Sequence, residues 1–342
     1  MYFYADLNLS KEKHEISKEI LRCALNGKKR IDVVSMFYNS SDILLETIIA
    51  FANVKKSILY ITNEALLEID IIYFINKFSN LSEYVYTSET NCSSVKECLN
   101  ICNNEGALRL QEKFDLVIYN EIRSFPKYSK QQIKKILLKM CKPEGTAISY
   151  SVENVLSEGP SIMVTLKNNK IPVIEPRIIT TRINLNIEIP LVVYEYLNWS
   201  ITSNRKVIIF TPDAEKAIAV FQYLSNFKEQ LSEDLFLYIS KKSDFNIPIV
   251  FMNKDKGILV TNDFEESYLE FHAVDVIVYF ADNIKFTHKQ LLYLSSKVGR
   301  YENIQRGEAI FLANAETVQM ERAKNIARKF NEKAWEKGLL NL

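Results

Sequence analysis

Short, uninterrupted apolar runs recur along this chain, separated by longer stretches whose apolar residues repeat at three- and four-residue spacing. An apolar run without alternation predicts a strand buried on both faces, and the three-four repeat predicts an amphipathic helix. In the first half the runs predict strands at Arg30–Phe37, Ser57–Thr62, Phe114–Tyr119 and Gly145–Tyr150. Helices are predicted at Lys11–Asn26, Asp42–Asn53, Glu64–Phe78, Cys92–Leu110 and Ser129–Cys141, with Ser10 as the N-cap of the first. Repeated strand–helix alternation with continuous apolar strands implies a parallel sheet covered on both faces.

Residues 160–190 change character. Pro160, Pro172, Pro176 and Pro190 punctuate short apolar runs, which predicts extended connections and a hairpin across Ile162–Val173. A helix is predicted at Leu191–Trp199, and alternation then resumes. Strands are expected at Lys206–Phe210, Leu235–Ile239, Gly257–Thr261, Val274–Phe280 and Glu308–Leu312, with a short element near Ile249. Helices are expected at Ala214–Phe227, Thr287–Ser296 and Thr317 to Lys337. The pattern gives two α/β lobes, residues 8–190 and 191–342, each a largely parallel sheet covered by helices.

Composition changes this picture little. The 342 residues are 47% hydrophobic and 25% charged, ordinary for a globular protein of about two domains. Lys plus Arg total 43 against 42 Asp plus Glu, so no global field draws the chain onto nucleic acid or an anionic membrane. Any basic surface has to be local. No apolar run approaches the ~18 residues of a membrane span, and the N-terminus lacks a signal-peptide pattern. The expected compartment is the cytoplasm, without membrane insertion. Five cysteines, none in a C-x-x-C pair, read as reduced thiols; Cys92, Cys98 and Cys102 read as core packing, and no metal site is expected. His272 and His288 have no partner at metal-ligand spacing. Arg322–Lys337 reads as a solvated helix face.

Glycine is scarce: eight residues, where an average of about 7% predicts roughly 24. A loop that wraps phosphates with its backbone N–H groups needs glycine's conformational freedom. The scarcity therefore counts against an intact nucleotide site.

Three segments carry a family resemblance. Val274–Arg300, VDVIVYFADNIKFTHKQLLYLSSKVGR, reads as strand, loop and helix ending in Lys297, Gly299 and Arg300. FDLVIYNEIRSFP spans Phe114–Pro126, and KVIIFTPDAEKAIAVFQYL spans Lys206–Leu224. Together they resemble the two-lobed, RecA-like core of superfamily 2 helicases, most closely the late-competence ComFA-type DNA translocases, over nearly the whole chain after Leu7. The resemblance implies a P-loop NTPase-type helicase core with ATP and magnesium held by the first lobe. Its last Arg, matched by Arg300, would stabilise charge in the phosphoryl-transfer transition state.

The matched positions depart from the family pattern in one direction. Lys13 stands where the resemblance implies an adenine-reading Gln. The phosphate loop GAGKTE is matched by Phe37-Tyr38-Asn39-Ser40-Ser41-Asp42, which keeps only Ser41 and supplies neither glycine nor Lys. The DEVD box is matched by Asn120-Glu121-Ile122-Arg123: the metal-holding Asp becomes a weaker ligand, Glu121 is kept, and Arg123 reverses a charge. Ser149-Tyr150-Ser151-Val152 replaces a TATP-like element, and Lys297 replaces the first Arg of the last motif. Taken without the resemblance, Asn39–Asp42 would serve as a turn and helix N-cap in any α/β protein, Glu121 as a strand end, and Arg300 as a surface ion pair.

These departures lead to the expectation of a ComFA-like protein of competence and DNA uptake that no longer turns over ATP. It would act as a scaffold or weak single-stranded DNA binder, or as a partner of other uptake proteins, with no cofactor. The alternatives are an active ATP-dependent single-stranded DNA translocase using Ser41, Glu121 and Arg300 with ATP and magnesium, and a non-motor nucleic-acid-binding module.

Overall fold

The computed structural model of the chain describes residues 11–79, 84–87, 99–165, 172–232, 234–265, 274–298 and 307–340. The chain divides into two compact units, Met1–Lys170 and Ile171–Leu342.

In the first unit, helix α1 (Lys11–Leu25) precedes strand β1 (Arg30–Ser35), and a 3-10 turn at Asp42–Leu44 leads into α2 (Leu45–Asn53). There follow β2 (Ile58–Thr62), α3 (Asp70–Phe78), β3 (Tyr84–Thr87), β4 (Leu99–Cys102), α4 (Asn104–Arg109), β5 (Phe114–Asn120), α5 (Lys130–Met140), β6 (Cys141–Ser151) and β7 (Ser161–Val164). The seven strands lie in the order β3-β4-β2-β5-β6-β1-β7. All six pairings are parallel. Parallel strands with helical crossovers are buried on both faces, which is why β2 reads ILYIT without polar interruption and is buried throughout. Ser129 and Gln132 form a capping box that starts α5. The carboxyl ends of β1, β5 and β6 are thereby brought to one edge of the sheet.

The second unit begins with β8 (Arg177–Thr180) and α6 (Leu191–Thr202), then β9 (Lys206–Phe210), α7 (Ala214–Ser225), α8 (Lys228–Leu231), β10 (Leu235–Tyr238), α9 (Asn246–Met252) and β11 (Gly257–Thr261). It ends with β12 (Val274–Tyr279), α10 (His288–Ser295), β13 (Ala309–Ala313) and α11 (Val318–Glu336). Its six strands run in the order β10-β11-β9-β12-β13-β8, again all parallel. α11 buries Met320, Ala323, Ala327, Phe330 and Ala334 on one stripe and turns its charges outward, as the sequence implies. His288 is hydrogen-bonded to Gln319.

The two α/β lobes stand, with three corrections. The division falls at 170/171 and not at 190/191, because Arg177–Thr180 pairs in register with Ile310–Ala313 of the second sheet. Leu99–Cys102 is a buried strand between β3 and β2, where a helix over Cys92–Leu110 is predicted from sequence; residues 88–98 lie outside the described residues. Ser161–Val164 lies parallel to β1, so the predicted hairpin does not form there, and residues 166–171 lie outside the described residues. Cys92, Cys98, His272, Ser10, Gly299 and Arg300 also lie outside them. Cys102 and Cys141 are buried free thiols. Among the described residues, no helix is long and apolar enough to cross a membrane.

Candidate functional site

β1 delivers the chain to the turn Met36–Ser41 at the carboxyl edge of the first sheet. Phe37 is buried, and Tyr38 takes a left-handed conformation with φ 67°. A bulky L-residue there costs roughly 1–2 kcal/mol, which glycine would avoid. The turn holds this shape because its polar groups are bound inward. The Tyr38 N–H donates to the Ile122 carbonyl at 2.9 Å, and the Asn39 amide donates to Ser35 Oγ at 2.7 Å. The Tyr150 hydroxyl donates to the Ser40 carbonyl at 2.9 Å, and Ser40 Oγ accepts from the Asp42 N–H at 3.3 Å.

Ser41, the one residue kept from the phosphate-loop pattern, faces a carboxylate. Its N–H donates to Asp70 Oδ2 at 2.9 Å, and its hydroxyl donates to Asp70 Oδ1. Where the resemblance implies a backbone N–H for a phosphate and a hydroxyl oxygen for magnesium, both groups of Ser41 here donate to Asp70. Asp70 is the first residue of α3, where a negative charge is favoured by the helix N-terminus. Lys13, on the adenine-motif position of α1, is committed as well. Its Nζ lies 3.4 Å from Asp42 Oδ2, and both side chains are 8% exposed.

The end of β5 completes the network. Asn120 donates to Tyr60 Oη at 2.7 Å and to Glu64 Oε1 at 3.1 Å, and accepts from the Ile122 N–H at 3.0 Å. Glu64 also accepts from Thr62 Oγ1 at 2.9 Å. An Asp at position 120 would place a second carboxylate against Glu64; the amide supplies a donor. Arg123 is the counterion, its Nε 3.4 Å from Glu64 Oε2 and 3.5 Å from Asp70 Oδ2. Burial and the Asp70 charge push Glu64 up to about 8, against the pull of Arg123. Burial also raises Asp70, with Arg123 and Ser41 opposing it. Glu121, which the resemblance matches to a water-orienting Glu, is buried and accepts from the Ser151 hydroxyl at 2.6 Å.

The structure thus brings Lys13, Asn39, Ser40, Ser41, Asp42, Asn120 and Glu121 to one edge of the first sheet. Lys297 is in the second lobe and is 1% exposed; its Nζ sits 5.6 Å from the Phe210 ring centre and 5.2 Å from that of Tyr293. Such cation–π packing holds the ammonium inside the lobe. Sequence reading missed Glu64, Asp70 and Tyr60. The available signal was Arg123, a charge reversal that implies a buried acidic partner elsewhere. Among the described residues, no group of three or more His, Cys, Asp or Glu is placed to hold a metal ion.

The titration of Glu64 has a sign that can be worked out. A carboxyl that is harder to ionise in the folded chain than in the unfolded chain makes the folded state bind more protons between roughly pH 4.5 and 8. Stability should fall as pH rises through that window and level off above it. Urea midpoints at constant ionic strength should therefore be lower at pH 8 than at pH 6, and Glu64→Gln should flatten the difference. An undiminished slope in the Glu64→Gln protein would exclude Glu64 as its source.

Comparison with known proteins agrees with this layout. No protein-family profile matches the chain. The chain is 21% identical to competence protein ComFA of Bacillus subtilis (strain 168) over 252 residues, covering 69% of this chain and 53% of ComFA. The structure is similar to the Escherichia coli DExH-box NTPase HrpB, with TM-score 0.57, 12% identity and 93% of this chain covered against 43% of HrpB. It is also similar to the DUF1998 helicase MrfA bound to DNA and AMPPNP, with TM-score 0.53, 12% identity and 94% of this chain covered against 50% of MrfA. The chain spans about half the length of the curated relative it matches. The chain is thus similar to ComFA in sequence, and its two α/β lobes share the RecA-like fold of these NTPase and helicase structures.

Proposed function

We propose that this ComFA-like chain is a helicase-family scaffold of DNA uptake that does not turn over ATP, and that it contacts single-stranded DNA or other uptake proteins through its two lobes. The observation that carries the reading is the Ser41–Asp70 contact, backed by Arg123. The donors and the charge site that a nucleotide would use are satisfied by the chain's own carboxylates. Magnesium-ATP fits poorly here. The loop offers no Lys and no glycine, and its most strained residue is a tyrosine. Binding would also have to displace an ion-paired network at several points, each of which costs free energy to strip.

With net charge near zero, binding to a single strand should be weak, carried by phosphate contacts and reduced by salt. Nucleotide control of that binding should be missing. Labelled single-stranded DNA titrated with and without a magnesium-ATP analogue, at two salt concentrations, checks this. The expected result is one salt-dependent curve at each concentration, unchanged by nucleotide. A nucleotide-dependent change of about tenfold, ~1.4 kcal/mol of coupling, would instead support an active translocase working through Glu121.

A further inference from the structure

The amino edge of the first sheet, opposite the edge that carries the Ser41 turn, holds a cleft of about 250 Å³. Its walls come from the starts of neighbouring strands: Lys29 and Arg30 at β1, Lys113 just before β5, and Cys141, Lys142 and Gly145 on β6. Four cations line it and no carboxylate does. In a chain whose charges cancel almost completely, this is a local concentration of one sign.

The carboxylates that neighbour these cations lie outside the lining and differ in how firmly they are held. Glu144, 3.1 Å from Lys29, keeps 87% of its side chain in water, and Glu158, paired with Arg30, keeps 60%. Ion pairs so exposed contribute little and exchange readily for a stronger anion. Asp115 is fixed: burial opposes its charge, yet hydrogen bonds from Lys142 and Ser57 hold its carboxyl down to about 2. It offsets one charge of the four. Lys113 makes no hydrogen bond or ion pair among the described residues. The floor is tight, since a Cβ on Gly145 would come within 2.8 Å of Cys141 Sγ and 2.9 Å of two backbone carbonyls.

We propose that this cleft binds a phosphate-bearing anion, with Lys113, Lys29 and Arg30 as its charge partners. A phosphate group has the charge to displace Glu144 and Glu158, and Arg30 offers the fork geometry that phosphate oxygens accept in pairs. The site uses none of the residues around Ser41 and goes beyond the reading of the carboxyl edge. Its ligand is either a small phosphate ester or the backbone of a nucleic acid strand.

The test uses the full chain and two probes, inorganic pyrophosphate by calorimetry and a labelled single-stranded oligonucleotide by anisotropy. Lys29→Glu with Lys113→Glu reverses two exposed charges of the cleft. Lys256→Glu with Lys329→Glu makes the same change in charge on exposed positions of the second lobe. The proposal expects pyrophosphate binding that weakens at least about tenfold in the cleft variant and stays within twofold in the control. Parallel loss of oligonucleotide binding identifies a strand as the source; its retention identifies a small ester. If pyrophosphate fails to bind at millimolar concentration, or both double variants weaken it equally, the proposal is overturned. Should the cleft variant melt early, Lys113→Gln alone gives the same comparison with less perturbation.

Discussion

Arg123→Ala is expected to destabilise the first lobe by about 2–4 kcal/mol at pH 8. Removing one partner of a buried ion pair costs roughly 3–5 kcal/mol because the remaining charge is stranded, and the lower figure allows for the third of the Arg123 side chain that stays in water. Glu64 and Asp70 would then face each other without a counterion. Both carboxyls are already hard to ionise, so the loss should shrink toward pH 6, where protons take the place of the guanidinium. Urea unfolding followed by far-UV circular dichroism at the two pH values reads this directly. A loss below about 0.5 kcal/mol at pH 8, the range of ordinary surface changes, would mean that Arg123 is not the counterion of this network.

The second lobe has its own buried pair, and its removal should cost as much or more. Arg205 grips Asp275 with two hydrogen bonds, Nε to Oδ2 at 2.7 Å and Nη2 to Oδ1 at 2.6 Å. The side chains are 4% and 0% exposed. Asp275 also accepts from Ser200 Oγ and from the Glu308 N–H, so it ties α6, β9, β12 and the approach to β13 together. Arg205→Ala is expected to cost about 3–5 kcal/mol. Arg205→Lys should recover only part of that, because an ammonium cannot form the paired contact. Trp199 and Trp335, the chain's two tryptophans, both belong to this lobe, so tryptophan fluorescence follows its unfolding. That transition should move to lower urea in Arg205→Ala. An unmoved transition would contradict the assigned weight of the pair.

How legible these features were in the sequence depends on how local their causes are. Lys206–Phe210 and Gly257–Thr261 fold as read, because the uninterrupted apolar runs Val207–Phe210 and Ile258–Val260 admit few alternatives. Arg177–Thr180 does not read as a strand, since RIIT is short and follows Pro172 and Pro176, and its partner Ile310–Ala313 lies far along the chain. Leu99–Cys102 reads as part of a helix because a four-residue strand is too short to show its period. At the site, the departures from the phosphate-loop pattern are readable position by position through the resemblance. What replaces that pattern is not. Glu64 and Asp70 look like ordinary polar positions near a helix start, and only the fold places them beside Arg123 and Ser41. Asn120, which reads from sequence as a lost metal ligand, is in the fold the amide that lets Glu64 sit beside it.

The central claim is that the carboxyl edge of the first sheet is closed by its own ions and does not take up nucleotide. Calorimetric titration of the full chain with magnesium-ATP at pH 7.5 measures this most directly. The account predicts no saturable heat at concentrations below about 1 mM, a binding free energy weaker than ~4 kcal/mol. A micromolar dissociation constant would contradict it, because ATP would then have displaced Asp70 from Ser41 and opened the network that Arg123 holds.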